Sequence, residues 1–171
     1  AAAIRVFGEK GYDAASIRDI AAAAGMALGA LYRHFKGKDE LAREIYATSI
    51  REWSERLRRA AEQHDRPAER IDAMVRFFSM SFDAEPQLFA FLLLNQHGPA
   101  RSFSSRAANP LKVIEVELER ASARGEIEPG DLQTRALSIL GAVLQPAAAY
   151  SRAGKTGLSH VADEISAAAI R

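Results

Sequence analysis

The chain has 171 residues, a formal net charge of +1 with 26% charged residues of both signs, and no cysteine. That length can bury a real hydrophobic core and lies near the size at which one domain begins to split into two, while the missing cysteines exclude a disulfide framework, a thiolate nucleophile and any Cys-based metal site. The balanced charge excludes a basic tail as the route to nucleic acid, and with the longest apolar runs far short of the roughly 20 residues that span a bilayer and no secretory signal at the start, a soluble cytoplasmic protein is expected.

Ala, Leu, Glu and Arg dominate, β-branched runs are missing, and apolar residues recur at three- and four-residue spacings along the whole chain. This pattern predicts an all-α protein. Gly and Pro breaks divide it into about nine helical segments, short at first and longer later. The asymmetry predicts a three-helix N-terminal domain over residues 1–40 and a larger helical domain over 41–171. The segment 38–64 connects them as a long helix, a plausible lever between two sites.

The second short helix has a clear start. Ser16 stands as N-cap with Asp19 three residues on, so hydroxyl and carboxylate can satisfy the open amides of the first turn. Ile17, Ile20, Ala21 and Ala24 give it one apolar face, and Gly25 suits the left-handed position that closes a helix. Met26 and Ala27 then lead into a third helix from Leu28 to Phe35. Two short helices joined by a Gly-containing turn form a helix-turn-helix, whose second helix enters the major groove. Leu31 and Phe35 face the core. The opposite arc holds Gly29, Ala30 and Arg33: two residues small enough for close approach to bases and one able to donate a bidentate pair to guanine. Tyr32, His34 and Lys38 flank the arc as donors suited to phosphates. A generic amphipathic helix pair, with Arg33 and His34 merely solvated, fits the same spacing.

The ordered run Ser16-Ile17-Arg18-Asp19-Ile20-Ala21, then Ala24-Gly25, then Leu31-Tyr32-Arg33-His34-Phe35-Lys36-Gly37-Lys38-Asp39-Glu40-Leu41 resembles the DNA-binding domain of the TetR family of repressors over residues 1 to about 45. The resemblance implies that Ser16 caps its helix beside a phosphate, that Leu28, Gly29, Ala30 and Arg33 lie at the bases, and that Tyr32, His34 and Lys38 hold the backbone. Ala27 departs from the Ser or Thr usual at the cap of the recognition helix, a loss of about 1 kcal/mol, offset in part if Met26 and Leu31 close a staple across the turn. Leu28 departs from the polar residue often found there and is suited to a thymine methyl.

Beyond Pro67 the resemblance fades. Six of the eight Phe residues fall between Phe77 and Phe103. Each reads as plain core, or the cluster lines an apolar ligand cavity with a few polar groups at its edge. The ligand reading gathers Trp53, Met74, Phe77, Phe78, Phe89, Gln96, His97 and Phe103. The helix over 132–149 is apolar on nearly all sides, so part of its burial is expected from a second subunit. The family resemblance likewise implies a four-helix dimer interface from the last two long helices, with Leu137, Leu140, Val143, Leu144, Val161 and Ile165 as its apolar residues.

The four His residues lie on separate segments without an i, i+4 partner, and no phosphate loop, nucleophile elbow or zinc-protease pattern appears. A catalytic centre and a cofactor are therefore not expected. A small helical carrier or enzyme acting on an apolar molecule explains the Phe cluster but leaves the ordered N-terminal motif unexplained. The expectation is a ligand-responsive regulator, a homodimer on palindromic double-stranded operator DNA, released by a small apolar or aromatic effector, with no membrane partner.

Overall fold

A computed structural model describes residues 2–94 and 109–170. Among these residues the chain is helical throughout, with no strand. The helices are α1 (Ala2–Lys10), α2 (Ile17–Ala23), α3 (Leu28–His34), α4 (Lys38–Glu62), α5 (Pro67–Ala84), α6 (Pro86–Phe89, running into a π turn at Ala90–Leu94), α7 (Pro110–Ala123), α8 (Leu132–Arg152) and α9 (Ala162–Ile170), the last preceded by a 3-10 turn at Leu158–Val161.

The described residues form two compact units: 2–49 with 87–94, and 50–86 with 109–170. The first unit thus extends past residue 40 into α4 and takes in the π turn. Its core is built from the apolar faces of short helices. Val6, Phe7, Ile17, Ile20, Leu31 and Leu41 are buried, and α1 packs on α2, α2 on α3. The π turn adds Phe91 and Leu92, both buried although adjacent in sequence. Phe91 stacks on Phe7 with ring centroids 5.6 Å apart and meets Tyr46 edge-on at 6.1 Å.

In the second unit α9 packs on α5 and α8, and α7 packs on α8. Ile50, Trp53, Leu57 and Ala61 form the buried stripe of α4, at the spacing an amphipathic helix requires. Local chemistry fixes the helix starts. Pro110 opens α7 where a missing N–H costs nothing, while the Asn109 side chain accepts from the Leu111 amide at 3.0 Å. Asp131 caps α8 by accepting from the Thr134 amide at 3.0 Å. Glu117 of α7 is 4% exposed and accepts from Arg70 of α5 at 2.6 Å and from Arg120 at 2.7 Å, so a buried carboxylate joins two helices with its charge compensated.

Candidate nucleic-acid interface

The site begins with the capping box of α2. Ser16 Oγ accepts from the Asp19 amide at 3.1 Å, and Asp19 Oδ2 accepts from the Ser16 amide at 2.9 Å. Lys10 donates to the other carboxylate oxygen at 2.6 Å. Hydrogen bonds from Lys10 and Ser16 hold the Asp19 carboxyl down to about 2. The helix ends on Gly25 at φ +63°, with the Met26 amide reaching back to the Ala21 carbonyl at 2.9 Å, the closure that left-handed Gly makes possible.

At the start of α3, Ala27 is extended and supplies no side-chain cap. Met26 is 44% exposed, so it is not buried against Leu31 as a closed staple requires. Leu31 is the buried anchor of α3. At about 100° per residue, Gly29 and Arg33 lie opposite it. Gly29, Tyr32, Arg33 and His34 are exposed, Tyr32 by 51%, whereas Leu28 and Ala30 are half-buried at the edges of the face. Arg33 and His34 occupy the last turn, where the Arg33 guanidinium suits the helix end. Ser16 is also exposed.

Lys38 behaves differently from the other expected phosphate donors. Half-buried, it donates to the Tyr12 carbonyl at 2.7 Å and the Asp13 carbonyl at 3.1 Å, with its ammonium 4.5 Å from the centroid of the Tyr12 ring.

The candidate effector residues divide between the units. Trp53, Met74, Phe77 and Phe78 belong to the second, where Trp53 meets Phe77 at 5.1 Å and Phe78 at 5.5 Å, both edge-on. Trp53, Met74 and Phe78 are packed shut and Phe77 is half-buried, with the Arg56 guanidinium 5.5 Å from its ring centroid. Phe89 is buried in the first unit. Gln96, His97 and Phe103 lie outside the described residues. A groove of about 160 Å³ between α4 and α7, lined by Arg58, Lys112, Val113 and Val116, gave no signal in the sequence because its walls come from segments some fifty residues apart. It is small beside the roughly 300–1,000 Å³ of typical ligand sites.

On α8, Ala136, Ile139, Val143 and Ala147 turn into the chain's own core, leaving Leu137 50% exposed and Leu140 and Leu144 half-exposed. Val161 is half-exposed before α9. Val143 and Ile165, also expected at the subunit contact, are buried in the chain's own packing at 0% and 6% exposure. Among the described residues no group of His, Asp and Glu side chains is placed to hold a metal, and no helix is long and apolar enough to cross a membrane.

Residues 1–45 match the family described as bacterial regulatory proteins, tetR family. The HTH-type transcriptional repressor KstR2 of Mycobacterium tuberculosis is 34% identical over 82 residues, 48% of this chain and 40% of that protein. The chain spans about half the length of the curated relatives it matches. Two solved structures resemble it along nearly its whole length. The transcriptional regulator FadR from Bacillus subtilis in complex with stearoyl-CoA has a TM-score of 0.86 at 21% identity, covering 99% of this chain and 94% of that one. AibR in complex with isovaleryl coenzyme A and operator DNA has a TM-score of 0.77 at 26% identity, covering 96% and 92%.

Proposed function

We propose, from an N-terminal domain that belongs to the tetR family of bacterial regulatory proteins, that the chain is a ligand-responsive transcriptional repressor that binds a palindromic operator as a homodimer in the cytoplasm. The observation that carries this reading is the open face of α3. One apolar anchor, Leu31, holds the helix down, while Gly29 and Arg33 stand exposed on the side away from it and Tyr32 and His34 stand exposed on its flanks. Such a surface matches what a recognition helix presents to base edges and flanking phosphates. In the dimer two such helices meet successive major grooves about 34 Å apart.

The effector proposed is an acyl-coenzyme A thioester, as bound by AibR in its solved complex. In the second unit the half-buried Phe77 stands beside the buried Trp53, Met74 and Phe78, a cluster that must repack to admit an acyl chain, and Trp53 lies on the same helix, α4, that begins at Lys38. Effector binding that favours one position of α4 lowers operator affinity by differential affinity alone. The subunit contact is assigned to Leu137, Leu140, Leu144 and Val161. The scheme requires no catalytic group.

Selection of duplex DNA from a randomised library tests the reading. An inverted repeat with half-sites about one helical turn apart is expected, bound more weakly once isovaleryl-CoA or stearoyl-CoA is added. Failure to enrich any repeat overturns DNA recognition; enrichment without a response to either thioester overturns the choice of effector.

A further inference from the structure

We infer that Lys38 is a positioning residue for DNA recognition rather than a phosphate ligand: with Tyr12 and Asp39 it forms a clasp that fastens the turn between α1 and α2 to the first turn of α4. The inference rests on the DNA-binding reading for its consequence, but its geometry stands within the first unit alone.

An ammonium has three donors and no acceptor. Two of those of Lys38 are aimed at consecutive carbonyls of the α1–α2 turn, Tyr12 at 2.7 Å and Asp13 at 3.1 Å. The charge also sits 4.5 Å from the Tyr12 ring centroid, within cation–π reach. The next residue of α4 closes the clasp from the other side: Asp39 Oδ1 accepts the Tyr12 hydroxyl at 2.6 Å. Burial and this bond to Asp39 push the Tyr12 phenol above its ordinary value. The ring itself rests on Phe7, 5.2 Å away.

The clasped turn leads into Ser16, which starts α2, and α3 is held to α2 through the Gly25 turn and Leu31. Holding the turn therefore sets where the exposed face of α3 stands relative to the start of α4. To reach a phosphate, Lys38 would have to abandon both carbonyls and the ring. Lys36 bears no such load: it is exposed and its ammonium has no partner among the described residues.

Charge offers a decisive test, because Asp39→Ala removes a negative charge beside DNA. Long-range electrostatics alone makes that variant bind more tightly. The clasp makes it bind more weakly, by about tenfold, the weight of one charge-assisted hydrogen bond. Tyr12→Phe, which changes no charge, is expected to weaken the selected operator in the same direction. Lys38→Met is expected to lose affinity while the slope of log affinity against log salt stays at the wild-type value, whereas Lys36→Ala lowers that slope by about one. Tighter binding by Asp39→Ala, or a slope lowered by about one in Lys38→Met, overturns the inference.

Amide hydrogen exchange without DNA separates the clasp from the DNA reading. Faster exchange across residues 11–16 in Lys38→Met and Tyr12→Phe, with α8 protected as in the wild type, supports the clasp even if no operator is found. Unchanged exchange there in both variants overturns it.

Discussion

Asp83, near the end of α5, accepts the Leu158 amide at 2.8 Å, and the same carboxylate takes the Gly157 amide at 2.7 Å and the Ser159 amide at 2.9 Å. Three successive N–H groups that would otherwise open the turn before α9 unsatisfied converge on one charge. Gly157 enables this by its φ of +90°. A side chain 74 residues upstream thus fixes the turn that leads through Val161, a residue assigned to the subunit contact, into α9.

Asp83→Ala is therefore expected to cost roughly 2–3 kcal/mol, the weight of charge-assisted bonds lost in a partly buried place. The effect depends on pH with a definite sign. Burial raises the Asp83 carboxyl, but hydrogen bonds from the Ser159 hydroxyl and the three amides outweigh it and hold the group below its ordinary 3.8. A depressed folded-state value gives stability that is full above 3.8 and is lost as pH falls through the lower folded value. Melting curves of wild type and Asp83→Asn from about pH 7 downward should converge in that acid range; a gap that stays constant to the lowest pH counts against the account.

The two faces of α8 predict different failures for the same chemistry. Leu137→Glu places a charge on a half-open position and should yield a folded monomer by sedimentation. Val143→Glu buries an unpaired carboxylate at a site with 0% exposure and should unfold the chain, with loss of helical circular dichroism. A dimeric Leu137→Glu protein removes α8 from the interface.

How much of this was legible in the sequence follows the range of the interactions. The Ser16–Asp19 box, the Gly25 closure and the uncapped Ala27 are events within four residues, and the residue types announce them. Which face of α8 turns inward was not legible, because Leu137 and Val143 are equally apolar and only packing against the second unit's core separates them. The Phe run divides for the same reason: Phe89, gathered with Phe77 and Phe78 in the ligand reading, is buried in the first unit, a placement that nearness in sequence does not announce. Lys38 reads as an exposed donor because its carbonyl partners, 25 and 26 residues away, bear no side-chain signature.

Arg33 shares the face opposite Leu31 with Gly29 and has no partner among the described residues. Arg33→Ala should relax base preference at one operator position by about 1–3 kcal/mol, while Lys36→Ala weakens all sequences alike. A randomised-site library read by sequencing distinguishes them; uniform loss in both places Arg33 on a phosphate.

Ser54 interrupts the buried stripe of α4, and its hydroxyl is buried without a hydrogen-bond partner among the described residues. A stranded hydroxyl costs free energy that a methyl does not. Ser54→Ala should therefore stabilise the protein by about 1 kcal/mol in urea unfolding. Destabilisation instead would mean that the hydroxyl is engaged in solution.

The proposed switch makes a demand that mutation alone cannot meet. Trp53 is the chain's single tryptophan, lies on α4, and touches Phe77 and Phe78 edge-on, so its fluorescence reports the environment where the acyl chain is assigned. Isovaleryl-CoA or stearoyl-CoA titrated against the free protein should change that emission and saturate. If α4 links the two sites, a coupling of about 1–3 kcal/mol weakens operator binding roughly 5- to 150-fold, and linkage requires the operator to weaken the thioester by the same factor. The two factors come from separate titrations, thioester with and without operator and operator with and without thioester. Equality between them is expected because both measure one free-energy difference between two positions of α4. A thioester that binds with unchanged affinity in the presence of saturating operator shows a pocket with no hold on the DNA-binding unit, and the lever role of α4 then fails even though the site is real.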